Sequence, residues 1–323
     1  MEQQQPKIEL YVTRTFSDKL STAFAFLREN WRPILKYFTY FMLPASLVLG
    51  FFVNHFWGGY MSLIGLVENA GIPDDAWLIR FGLTTGATII VSILVYMLLI
   101  AVLFTLFRLY FARPQRLQDL QTDEFRPEFL KCLKRSAIYL VGFGLLVMAF
   151  FALFALLLGV GFAIHPVAGA ILLLLGYVAI FAVIIPLSIS QHIYMMEDEV
   201  SIIQAITKSF RLGFATWGGI VAISFVFGLI TSVIQSFTMA PWYALFIIKM
   251  VFTLSNEFDG SFVNSIVFTF MEYLTCVLQC LGYLLSAVIT TVAMLIQYGH
   301  ASDKIDGVGV AKNIDRFDEF DNF

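Results

Sequence analysis

The run SAIYLVGFGLLVMAFFALFALLLGVGFAIHPVAGAILLLLGYVAIFAVIIPLSISQHIYMM, residues 136–196, contains no Lys, Arg, Asp or Glu. A helix crosses the hydrocarbon of a bilayer with about 20 apolar residues, so this run is long enough to cross twice. The segment Gly161-Phe162-Ala163-Ile164-His165-Pro166 divides it, because proline ends one helix and glycine relaxes the backbone before it. Two spans joined by a tight turn follow from that division. Outward from this run, four more charge-free stretches, 37–67, 81–107, 212–248 and 273–302, are each long enough to cross once. The chain therefore reads as an all-α, polytopic transmembrane helical bundle. Its six spans are predicted at about 37–57, 82–107, 136–160, 167–189, 217–237 and 273–298.

Composition agrees. Of 323 residues, 59% are hydrophobic and 13% charged, against about 25% charged in soluble domains. The formal charge of −3 is too small to argue for a nucleic-acid partner, so none is expected, and membrane lipids are the expected surroundings. The polar opening MEQQQPKIEL has no apolar core, so no cleavable signal peptide is expected and the first helix should act as an uncleaved insertion signal. The three cysteines, Cys132, Cys276 and Cys280, show no disulfide or zinc spacing. Cys276 and Cys280 lie one helical turn apart and read as packing residues.

Orientation follows from the basic residues. Eighteen Lys and Arg flank the spans on the side holding both termini: six before span one, seven between spans two and three, two between four and five, and three after six. The alternate side holds Arg80 and Lys249 alone, beside six acidic residues: Glu68, Asp74, Asp75, Glu257, Asp259 and Glu272. The positive-inside rule places the richer side, with the N- and C-termini, in the cytoplasm.

Before each odd-numbered span lies an amphipathic segment. The first carries Phe16, Leu20, Ala23, Phe24, Leu27, Trp31 and Ile34 at helical spacing; the second carries Phe125, Phe129, Leu133 and Ala137; the third carries Val200, Ile203, Ile206 and Phe210. Basic residues sit off each stripe, the pattern of helices lying among headgroups of an anionic leaflet. Three amphipathic interfacial helices on the cytoplasmic side are thus expected. The chain divides into a cytoplasmic N-terminus (1–36), a six-span membrane domain (37–298) and a cytoplasmic tail (299–323). On the far side, an amphipathic stretch at 60–67 and a 14-residue apolar run at 241–254, too short to span, are expected to be interfacial or re-entrant.

The polar residues within spans are the candidate functional features. In span six Glu272, Cys276, Gln279, Tyr283, Ser286, Thr290 and Gln297 recur every three or four residues; span five adds Ser224, Thr231 and Gln235. Polar groups are costly in hydrocarbon, so this face should point into the bundle, as a lined path or as interhelical packing. Pro44 and Pro186 are candidate kinks. The acidic run Met195-Met196-Glu197-Asp198-Glu199 reads as charge complementation of a helix N-terminus. No P-loop, GxSxG, HExxH or metal-like histidine pairing is present, so no catalytic, cofactor or metal site is expected.

Phe16-Ser17-Asp18-Lys19-Leu20 through Phe24-Ala25-Phe26-Leu27-Arg28-Glu29-Asn30-Trp31, followed by a span with Leu43-Pro44, resembles the opening of bacterial six-span families. The segment from Glu199 to Leu212 is similar to their surface helix, which often reads Ala-x-x-x-Ser-x-x-Leu. These families are the YciC-like proteins and the membrane domain attached to some glycerophosphoryl diester phosphodiesterases. No soluble phosphodiesterase domain follows here, so the resemblance implies an integral bacterial inner-membrane protein without assigned catalytic residues. The expected role is non-enzymatic, scaffolding or assisting another membrane component whose identity is open. The alternative is a transporter or channel for a small or lipidic solute. A cysteine introduced beside Arg116 should be labelled by an impermeant reagent only after the membrane is opened; labelling in intact cells would overturn the topology.

Overall fold

Long apolar runs form helices because, in lipid, each backbone N–H and C=O must find its partner within its own segment. The computed structural model of the protein describes residues 6–68, 71–254 and 261–311. Its helices are α1 (Phe16–Glu68), α2 (Asp75–Ala112), α3 (Thr122–Ile164), α4 (Pro166–Leu187), α5 (Ser190–Met196), α6 (Ile202–Ala215), α7 (Trp217–Leu254) and α8 (Ile266–Asp306). Among the described residues six helices are long and apolar enough to cross a bilayer, α4 and α5 together making one of them. This is the architecture of a multi-pass membrane protein. Glu257, Asp259, Lys312, Arg316 and the rest of the expected tail beyond 311 lie outside the described residues.

The tight turn is as short as a turn between helices can be. α3 ends at Ile164 and α4 starts at Pro166. His165 is the residue between; its Nδ1 accepts the Val167 N–H at 3.1 Å, and proline opens α4, a position where its missing N–H costs nothing.

The helices outrun the predicted spans. At about 1.5 Å per residue, the 53 residues of α1 extend far beyond the ~30 Å of hydrocarbon. The first two amphipathic segments are accordingly the opening turns of α1 and α3, while the third stands as the separate helix α6. The stretches 60–67 and 241–254 likewise continue α1 and α7. A change from apolar to amphipathic patterning alters which face is wet but gives the backbone no reason to stop. Pro33, Pro44, Pro127 and Pro241 all lie inside helices. Pro186 differs: it sits in the last turn of α4, where the chain breaks before α5, and so closes a helix.

The residues group into two compact units. One comprises Met1–Trp31, Leu103–Phe227 and Thr290–Phe323. Its core is aromatic and aliphatic: Phe26 meets Phe107 and Tyr110 edge-on at 5.7 and 4.9 Å, and Phe104, Ile193, Leu212, Leu295 and Tyr298 are fully enclosed. α6 lies directly on α4, for a β-carbon at Gly213 would stand 2.5 Å from the Pro186 Cα. α3 and α4 close on each other where a β-carbon at Gly161 would stand 3.3 Å from the Gly169 Cα. Their most apolar stretches stay uncovered: none of that of α3 and 6% of that of α4 with α5 is buried, against 56% of that of α8.

The second unit comprises Arg32–Val102 and Gly228–Ile289. Here α1 packs on α8 through Gly50, where a β-carbon would meet the Val277 side chain at 2.5 Å, and α7 packs on α8 through Gly282, beneath Thr238. Trp57 of α1 meets Trp242 of α7 at 4.6 Å.

Gly213→Val should lower the unfolding temperature in detergent by the equivalent of about 1–3 kcal/mol, because the clash is with backbone. Gly144→Ala, where nothing lies within 4 Å, should raise it by up to about 1 kcal/mol. The reverse order would contradict the α4–α6 contact.

Candidate functional site

The polar face of α8 is taken up by neighbours in the same unit. Glu272 receives Lys249 Nζ at 2.8 Å. Cys276 lies 3.8 Å from the Asn54 side-chain oxygen, Tyr283 donates to Met239 Sδ at 3.3 Å, and Ser286 reaches the Thr231 carbonyl at 3.5 Å. Thr231 donates to the Gly228 carbonyl at 3.1 Å. Gln279 is buried with its Oε1 unpaired among the described residues, Gln235 is half-buried and Tyr283 exposed. The cavity beside Glu272, walled by Asn54, Trp57, Trp242 and Lys249, measures about 10 Å³, room for one water molecule at most. In the other unit Ser224 reaches Met294 Sδ at 3.7 Å, Thr290 is half-buried, and Gln297 is wholly buried. Cys276, Gln279 and Ser286 thus lie in a packed seam, with Tyr283 turned outward.

Each of the four histidines is engaged close by: His55 with the Phe51 carbonyl, His165 with the Val167 amide, His192 with the Thr291 carbonyl and His300 with the Arg14 amide.

The densest chemistry lies elsewhere, in the connector Glu197–Ser201 between α5 and α6. Asp198 binds Arg108 of α2 through both carboxylate oxygens at 2.7 Å and Lys131 of α3 at 2.8 Å. Arg108 also pairs with Glu128. Arg135 stacks its guanidinium over the Tyr194 ring at 4.5 Å and donates to the carbonyls of Tyr194, Glu197 and Asp198. Glu197 accepts from Lys208 of α6 at 2.7 Å and from the Tyr298 hydroxyl of α8 at 2.6 Å. Asp306 holds Arg211 at 2.9 Å. The acidic run therefore serves as a clasp for basic side chains from α2, α3 and α6 and for a tyrosine hydroxyl from α8. The N-terminus of α6 has its own reciprocal cap, with Ser201 and Gln204 bonded to each other's amides.

An extended N-terminal strap, residues 6–15, lies over the same unit. Lys7 donates to the carbonyls of Phe111 and Arg113 at 2.9 and 3.1 Å, Thr13 to Asp303 at 2.7 Å, and the Arg14 amide to His300 Nδ1 at 3.0 Å. Tyr11 meets the Tyr298 hydroxyl at 3.2 Å; burial raises the Tyr11 phenol above its ordinary range. A β-carbon at Gly299 would stand 2.2 Å from the Leu10 carbonyl, so only glycine admits the strap there. In the loop between α2 and α3, Arg116 adopts φ +60°, a conformation that non-glycine residues seldom take. Glu29 holds its guanidinium at 2.9 Å.

The charges of the clasp are visible in the sequence, the basic ones as flanks of spans and the acidic ones as one run, but nothing in their spacing joins Asp198 to Arg108, 90 residues earlier. The class defined is a multi-pass helical membrane protein with an ion-paired clasp on one unit. Comparison with protein-family models, with curated proteins and with solved structures finds no match to this chain.

The Arg108 guanidinium, and after it Lys131, hold the Asp198 carboxyl well below the usual carboxylate range. Its contribution to stability is present above about pH 4, where the unfolded group is ionised, and is lost as the pH falls below that. Asp198 is 46% exposed, so screening limits the contribution to about 1 kcal/mol. Asp198→Asn should lower stability by that amount at pH 7 and show a smaller further loss between pH 5 and pH 3 than the parent chain, measured by thermal unfolding in detergent.

Proposed function

We propose that the chain is a non-enzymatic protein of a bacterial inner membrane, with both termini cytoplasmic, that scaffolds or assists another membrane component. The observation that carries this reading is the disposition of the amphipathic segments. On α6, Lys208 and Arg211 are paired with Glu197 and Asp306, while Ile203 and Phe214 are 69% and 54% exposed. On α3, Lys131 and Arg135 turn to Asp198, and Leu130 is exposed. On α1, Phe24 and Trp31 are exposed. Large apolar side chains are thus left outside on all three segments, and on α3 and α6 basic residues turn to acidic partners within their own unit. Such segments suit the headgroup plane of the cytoplasmic leaflet, where they would offer an apolar docking face to lipid or to a partner.

Transport finds less support, because the polar residues that would have to line a path are packed and the space beside Glu272 is that of a single water. Gln279→Leu removes a buried oxygen without a partner and should leave stability unchanged or raise it by about 1 kcal/mol. A vesicle-flux assay separates the readings: a solute flux that is abolished by Gln279→Leu together with Thr290→Leu would establish transport. The scaffold reading is tested by affinity purification of the full chain in mild detergent. A membrane protein should co-purify and be lost on Ile203→Glu, and recovery of the bare chain alone would overturn the proposal.

A further inference from the structure

Lys19 stands in the first turn of α1 with 5% of its surface exposed. Its ammonium donates to the Gln297 side-chain oxygen at 2.9 Å. Among the described residues no carboxylate pairs with it. The charges it feels most strongly are two other cations, Lys304 and Arg14. An ammonium buried against a neutral amide and facing like charges is costly unless an anion joins it.

A cavity of about 290 Å³ opens beside it, lined by Lys19, His300, Lys304 and the chain from Phe214 to Gly219. Among the described residues no carboxylate lines it. His300 accepts the Arg14 amide on Nδ1, so its neutral ring carries the hydrogen on Nε2, as a donor. α7 begins here, at Trp217, and the first amides of a helix have no intrahelical acceptor and carry the positive end of its dipole. Thr216, the residue placed to cap them, donates its hydroxyl to the Leu212 carbonyl at 2.9 Å instead.

Two further features point to an anion as the occupant. Gln297 is wholly buried, and its Nε2 has no partner among the described residues. A β-carbon at Gly219 would stand 3.2 Å from that nitrogen and 3.3 Å from Lys19 Nζ. Glycine at this position therefore keeps the wall open to both donors, and a β-carbon at Gly218 beside it would meet nothing within 4 Å.

We infer that this cavity binds a phosphate group, with Lys19 and Lys304 as the cations and the His300 ring, the Gln297 amide and the opening amides of α7 as donors. The donor set outnumbers what a two-oxygen carboxylate can accept and suits the oxygens of a phosphate held at a helix N-terminus. The same chemistry is offered by a phospholipid headgroup and by free phosphate. The inference stands on the cavity alone and does not rest on the scaffold reading.

The test uses the full chain in a neutral detergent. In one arm its unfolding temperature is followed against inorganic phosphate, with chloride at matched ionic strength as control. In the other, the micelles carry dihexanoyl phosphatidylglycerol or, as control, dihexanoylglycerol, which lacks the phosphate. Saturable stabilisation above control is expected, with the midpoint weakened about tenfold in Lys304→Gln, the effect of one lost charge-assisted hydrogen bond, and at least as much in Lys19→Met. Stabilisation in both arms identifies phosphate itself as sufficient; stabilisation by the lipid alone identifies the headgroup. No stabilisation above control in either arm, or an unchanged midpoint in Lys304→Gln, overturns the inference. Should Lys19→Met fail to fold, Gly219→Ala, which narrows the cradle, takes its place with the same expected weakening.

Discussion

The unit holding both chain ends depends on how Asp198 and Glu197 are shared. Two adjacent carboxylates on a five-residue connector bind basic or hydroxyl groups from α2, α3, α6 and α8. Because α5 is a single short helix and α4 ends just before it, this connector has little packing of its own. The ion pairs tie it to α2, α3 and α6, and the Tyr298 hydroxyl ties it to α8. Partial burial is what gives these pairs weight. The Arg108 and Arg135 side chains are each 14% exposed, so water screens them less than it would an open surface pair.

A second constraint acts through small residues. Gly213 against Pro186, Gly50 against Val277 and Gly282 against Thr238 each bring two helices to a separation that any side chain would forbid. Close approach of this kind replaces the hydrophobic driving force that lipid cannot supply between apolar helices. It also explains why the polar residues of α8 need no cavity: Ser286 and Cys276 find partners on the neighbouring helix at once.

The class of fold and the number of crossings were legible because missing charge over 20 or more residues has one physical meaning in lipid. The turn at His165 was legible for the same reason, from Gly161 and Pro166. The ends of the helices were not. α1 runs without a break from Phe16 to Glu68, since neither Trp31 nor Tyr60 offers the backbone any reason to stop, and Pro33 removes one hydrogen bond without ending the helix. The candidate face on α8 was found by its spacing, yet whether Gln279 lines water or packs depends on α1 and α7, whose register spacing cannot reveal. The clasp was missed because Glu197, Asp198 and Glu199 look like an ordinary charged helix entry. Their partners are far away in sequence, and only the fold brings Arg108 and Tyr298 to them.

The single residue between α3 and α4 also sets how little must be ordered to bring them together. The entropy lost on closing a flexible loop grows with its length, and His165 alone separates the two helices. The Gly161–Gly169 approach is thus a contact between near neighbours in the sequence, and the α3–α4 pair can close without waiting for any other part of the chain.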